Sequence, residues 1–270
     1  MDRAVKAIIK KDIRQIFHNK QVLMPMLIVP LVFSIFLPLT SIVPALQEIA
    51  AETQGASAED IQQLMMIVNG FKGFLLLIPL MAASIVASNA IVGEKERKTL
   101  ETLLYSPVPS SKIFLAKCLA AFIVSMVMTV ISAVIFSSII NYNTMQTLGK
   151  IMFTGVDWLI IICLLTPAIT LLGIFFMVLV SAKAKSFQAA QQWSLIIMFP
   201  MLVLIMIQSA GVIAIPVYLY VIIGCGILAL DFLLIIKGLG KFTRPQLMDA
   251  KVSKKDMKKM SLTGNGMGLK

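Results

Sequence analysis

The chain has 270 residues, 59% of them hydrophobic, and a mean hydropathy of +0.92. Soluble domains hold nearer ~45–50% apolar residues, so this composition excludes an ordinary soluble enzyme and leaves an integral membrane protein. The formal net charge of +11 invites a nucleic-acid partner, but the placement of the charges, followed below, argues for a membrane surface instead.

Ahead of the first apolar run, Val5, Ile8, Ile9, Ile13, Ile16 and Phe17 recur at helical spacing, with Lys6, Lys10, Lys11, Arg14 and Gln15 around the other side. The pattern predicts an amphipathic interface helix over residues 1–21, its lysines toward anionic lipid headgroups. An ordinary charged flank is the alternative, and Asp12, inside the apolar sector, is the residue out of place. The first predicted span, Val22 to Leu46, contains Pro25, Pro30, Pro38 and Pro44. A membrane helix tolerates these only where neighbours satisfy the freed carbonyls, so kinks or a broken end are expected. At about 25 residues the run is too long for a signal peptide, despite the small residues around Val43-Pro44-Ala45. A loop from about Gln47 to Gly70 follows, with Glu48, Glu52, Glu59 and Asp60, and with helical spacing in Ile61, Leu64, Met65 and Val68.

The second and third predicted spans, Phe71 to Val92 and Phe114 to Ile140, flank a polar island, Gly93 to Lys112. Within it Glu94 precedes Lys98 by one turn and Arg97 precedes Glu101, while Leu100, Leu103 and Leu104 form a short apolar stripe, so Glu94 to Tyr105 is expected to be an exposed helix. Ser106-Pro107-Val108-Pro109 stops it, because proline lacks the amide donor and disfavours helix in the residue before it. In the second span Ala83, Ala87, Ala90 and Gly93, beside Ser84 and Ser88, form a small-residue surface; in the third, Ser125, Thr129, Ala133 and Ser137 repeat the device. Helix packing is the ordinary explanation of such stripes, and a polar lining for a substrate path through Ser125, Thr129 and Ser137 is the sharper one.

The fourth span, Trp158 to Val180, has a probable-kink dipeptide at Thr166-Pro167 and ends at Lys183 and Lys185; a turn of about ten residues leads to the fifth, Trp193 to Gly211, with Pro200 inside it. A short link then gives the sixth, Val217 to Ile236. Asp231 lies in that span, where a carboxylate is a functional candidate by default, although six residues from the end it can also reach headgroups or a basic partner. Residues 1–240 therefore read as one all-α integral membrane domain of six transmembrane helices, and 241–270 as a basic tail. With the N-terminus inside, only Lys72 and Lys150 of the 24 basic residues fall outside, which places both termini and the polar island in the cytoplasm.

Chemistry is sparse. Gly238-Leu239-Gly240-Lys241-Phe242 imitates a phosphate-binding loop, but Phe242 stands where a hydroxyl is required and the first glycine is missing. His18 is the only histidine, Cys118, Cys163 and Cys225 have no paired spacing, and no nucleophile has a positioned base, so no catalytic, cofactor or metal residue is expected.

The polar island resembles the signature of type-2 ABC export permeases through Gly93, Glu94, Lys95, Glu96, Arg97, Thr99, Leu100, Glu101, Leu103, Leu104, Pro107 and Val108. Six spans, inside termini and an amphipathic start fit that family over nearly the whole chain. The resemblance implies a permease in a bacterial plasma membrane, paired with a second permease chain and two cytoplasmic ATPase subunits that carry ATP and magnesium. It makes the island a cytoplasmic coupling helix between spans two and three. The substrate class it suggests is a small hydrophobic or amphipathic compound, a peptide or an ion. A membrane scaffold or sensor that docks a cytoplasmic partner through the same segment is the alternative from another class, and a secondary transporter is disfavoured by the scarcity of buried charge.

Overall fold

The computed structural model describes residues 3–52, 62, 73–96, 108–149, 151, 155–184, 186–209 and 216–241. In chain order these form α1 (Arg3–His18), α2 (Lys20–Leu37), a π-helical turn (Pro38–Ile42), α3 (Val43–Glu52), α4 (Phe74–Ser88), a second π turn (Asn89–Gly93) and α5 (Glu94–Glu96). There follow α6 (Ser110–Leu148), α7 (Val156–Ile160), a third π turn (Ile161–Leu165), α8 (Thr166–Lys183), α9 (Phe187–Ser209) and α10 (Val217–Lys241). No strand occurs among the described residues. Six helices are long and apolar enough to cross a membrane: Lys20–Glu48, Phe74–Gly93, Ser111–Thr147, Trp158–Ser181, Phe187–Ile207 and Val217–Ile236, called spans one to six. The amphipathic segment in the loop after span one, around Leu64, and the basic tail lie outside the described residues.

Proline explains two of the three π turns. The ring of Pro44 or Pro167 would collide with the carbonyl four residues back, and a widened turn moves that carbonyl aside. Accordingly the Val43 N–H bonds to the carbonyl of Pro38, and that of Thr166 to Ile161, each five residues earlier. Pro25 and Pro30 are carried inside α2 without interrupting it. The third π turn contains no proline and sits where span two meets the polar island.

Span two is the axis of the bundle. Of its apolar window 89% is buried, against 17% for span six. Ala82, Ala83, Ala87 and Ser88 are fully covered, and α4 packs on α2, α6, α8 and α9. The expected small-residue surface is therefore a packing surface, since without bulky side chains neighbouring backbones come close and gain dispersion contact. Glycines extend it: a Cβ at Gly173 would stand 2.5 Å from Leu80 Cδ1, and one at Gly73 2.7 Å from Ile205 Cγ1. Large side chains such as Phe36, Phe199, Ile222 and Phe232 point outward, where lipid tails are as apolar as they are.

Helix α6 is much longer than the predicted third span. Its 39 residues run on to Gly149, whose left-handed backbone (φ 63°) ends it, with the Gly149 N–H bonded to the Met145 carbonyl at 3.2 Å. The turn between spans four and five is shorter than the ten residues expected. Ser186 Oγ accepts from the Ala189 N–H at 3.2 Å and starts α9 at Phe187, well ahead of Trp193. The predicted amphipathic helix exists as α1, and Asn19, accepting from the Gln21 N–H, separates it from α2. Its apolar face is covered by protein: Val5, Ile8 and Ile9 pack on Ile113, Ala116 and Ala120 at the near end of α6.

Candidate functional site

Four elements converge where span two enters the polar island: α1, the second π turn, α5 and the first turns of α6. Of the island's candidate residues, Gly93, Glu94, Lys95 and Glu96 lie on described backbone. Arg97, Thr99, Leu100, Glu101, Leu103, Leu104 and Pro107 lie outside the described residues, and so do the partners of the expected Glu94–Lys98 and Arg97–Glu101 pairs.

Glu94 was expected to be solvent-exposed; it is 2% exposed. Its carboxylate is the centre of an ion cluster. Lys117 Nζ lies 2.9 Å from Glu94 Oε2 and 3.5 Å from Asp12 Oδ2, and donates to the Ala90 carbonyl at 2.8 Å. Lys11 Nζ donates to Glu94 Oε1 at 3.1 Å and stands 3.9 Å from Asp12 Oδ1. Lys117 and Asp12 are themselves 5% and 7% exposed, whereas half of the Lys11 side chain meets solvent. Among the described residues two cations face two anions, Lys11 and Lys117 against Asp12 and Glu94. Burial pushes the Asp12 carboxyl above its ordinary value of 3.8; Lys117 opposes the shift, and Glu94 adds to it. Asp12, out of place on an amphipathic helix read alone, is thus the residue through which α1 reaches the island.

The cluster has a structural counterpart in backbone geometry. A Cβ at Gly93 would stand 2.5 Å from Asn89 Oδ1, so glycine lets the buried Asn89 side chain fold over the π turn directly before Glu94. On the far side of the turn, Glu96 Oε1 accepts from the Phe187 N–H at 2.9 Å, at the start of span five. One turn into that span Gln191 Nε2 donates to Ser88 Oγ at 2.7 Å and to the Ser84 carbonyl at 3.1 Å. Nothing here is arranged as a nucleophile with a base. What the arrangement does is fix the polar island to α1, span three and span five at once.

The family described as ABC-2 family transporter protein matches residues 6–251. The chain belongs to the ABC-2 transporter family. No curated protein matches it. The matched stretch includes the ion cluster, the polar island and all six spans of this ABC-2 transporter.

Elsewhere in the transporter, the hydroxyls weighed as a substrate path make their hydrogen bonds within span three. Ser125 Oγ donates to the Ala121 carbonyl and Thr129 Oγ1 to that of Ser125, both at 2.8 Å, so these buried hydroxyls are bonded within their own helix. Ser137 Oγ donates to the Val134 carbonyl in the same way. Asp231 is 1% exposed and neither carboxylate oxygen has a hydrogen-bond partner among the described residues. The residues that sequence reasoning missed are Lys11, Asp12, Lys117 and Gln191. A signal existed for two of them: Asp12 is out of place in the apolar sector of α1, and Lys117 is the lone charge between Phe114 and Ile140.

Proposed function

We propose that this chain is the permease subunit of an ATP-driven exporter in a bacterial plasma membrane, with both termini and the polar island in the cytoplasm. Two ATPase subunits, which bind ATP and magnesium, dock on the island, and a second permease chain completes the pathway. The cargo class is a small hydrophobic or amphipathic compound, a peptide or an ion. The observation that carries the reading is the anchoring of the island's first residues: Glu94 and Glu96 are tied to α1, span three and span five. A segment held at its base in this way transmits a push as a displacement of the spans, and ATP binding and hydrolysis then bias two access states.

The test uses a residue seven positions beyond Glu94 along the island in sequence. Reversing Glu94 would place a third cation among Lys11, Lys117 and Asp12 and disturb folding, so Glu101→Lys is the informative change. A charge reversed at a docking surface can cost several kcal/mol of partner affinity. The amount of permease in the membrane should be unchanged, recovery of the co-expressed ATPase should fall, and substrate-stimulated hydrolysis in vesicles should be lost. Wild-type recovery together with wild-type stimulation would remove the coupling role.

A further inference from the structure

We infer that Glu96 and Gln191 are positioning residues that carry a displacement of the polar island into span five, so that spans two and five move as one unit. This rests on the coupling reading above and extends it to a span that is remote from the island in sequence.

Three observations converge. First, α9 runs antiparallel to α4 over its length: Gln191 meets Ser84 and Ser88 at the island end, and Ile205 fills the space beside Gly73 at the other. Second, the two polar links at the island end are of kinds that hold direction. The first turn of a helix leaves amide N–H groups without intrahelical partners and carries partial positive charge, so the Glu96 carboxylate on the Phe187 N–H satisfies a donor and complements the dipole. Ser186 takes the Ala189 N–H in the same turn, so Glu96 and Ser186 together cap the start of span five. Third, Gln191 is half-buried against span two and commits both of its side-chain N–H bonds there. The two bonds reach Ser88, directly before the π turn that leads into the island, and Ser84, one turn further back. The push therefore reaches span five through the covalent continuity of span two and through Glu96 directly.

The ATPase-bound complex carries nitroxide labels at Phe199→Cys on span five or Val127→Cys on span three, both on outward-facing side chains, in a cysteine-free background. Addition of a non-hydrolysable ATP analogue should change the spectra of both labels. In Gln191→Leu and in Glu96→Ala, the span-three label should still respond while the span-five response shrinks, and transport per ATP, in complexes matched for bound ATPase, should drop roughly five- to tenfold. Glu96→Ala lies at the surface and leaves the membrane core intact, so it reports even if Gln191→Leu folds poorly. Undiminished span-five responses in Glu96→Ala and any folded Gln191→Leu overturn the inference and leave the coupling reading standing. A wild-type complex in which neither label responds overturns both.

Discussion

Glu94 and Asp231 are carboxylates withdrawn almost equally from solvent, at 2% and 1% exposure, in opposite surroundings. Glu94 has a cation at 2.9 Å and another at 3.1 Å, and shares the first with a second buried acid. Asp231 has neither a cation nor a hydrogen-bond donor among the described residues. The contrast separates two ways in which a membrane protein keeps a charge inside. A many-sided cluster fixes the relative positions of the helices that contribute to it, whereas a lone acid leaves its helix free of polar ties and is costly to retain. The two sites also differ in neighbourhood: Glu94 continues the most deeply buried span, and Asp231 belongs to the least buried one.

The largest effect should come from emptying the cluster's centre. Lys117→Met leaves Glu94 and Asp12 facing each other with only the half-exposed Lys11 between them, and breaking a buried pair in this way costs about 3–5 kcal/mol. Thermal unfolding in detergent and abundance in the membrane should both fall, and adding Glu94→Gln should recover part of the loss. A fully stable Lys117→Met would mean that the cluster does not hold the helices together. At Asp231 the sign should reverse. Asp231→Leu keeps the approximate shape and removes both unpartnered oxygens, so stability should rise by roughly 1–3 kcal/mol, with export reduced if the acid serves the substrate path. A loss of stability would instead show that Asp231 is paired, and the contrast would fail.

The pH dependence of Asp12 gives a finer test within the cluster. Its carboxyl titrates above 3.8 in the folded chain because burial disfavours the charged form. The folded state then binds that proton more tightly than the unfolded state, so the wild type gains relative stability as pH falls through the folded value toward 3.8. Asp12→Asn lacks this proton, and the stability difference between the two should move in favour of the wild type over that window. Movement in the opposite direction would mean that Lys117 outweighs burial. The smallest effect belongs to Lys11→Ala, whose ammonium is half in solvent; an exposed pair contributes ~0.2–1 kcal/mol, and added salt should mask it.

The six spans were legible because twenty apolar residues in a row have few other destinations, and their order and approximate limits are those of the structure. The amphipathic start was legible in its period, and so was the role of the span-two alanines as a packing surface. The ion cluster was not. Glu94 and Lys98 have the spacing of a helix-surface pair, and that local signal hid a tertiary partner 23 residues away at Lys117 and another 83 residues away at Lys11. Asp12 and Lys117 each look like a flaw in an apolar context when read singly, and Glu94 like an ordinary surface acid; only the packing of α1 on α6 makes them one object. The π turns before Pro44 and Pro167 were foreseeable as kinks, but the one at Asn89–Gly93 has no proline to announce it.

Helix α6 differs from spans one, two and four in having no π turn and no proline along its 39 residues. It is an unbroken rod, about 58 Å long on a rise of 1.5 Å per residue. Phe114, Ala121 and Val124 pack among span two and α8 near the end held by Lys117, and Ala133, Phe136 and Ile140 pack with Ile42, Leu46 and Trp158 farther along. Two clusters strung on one stiff axle keep a common register: neither turns or tilts without the other, so the packing around Trp158 is keyed to the ion cluster at Lys117.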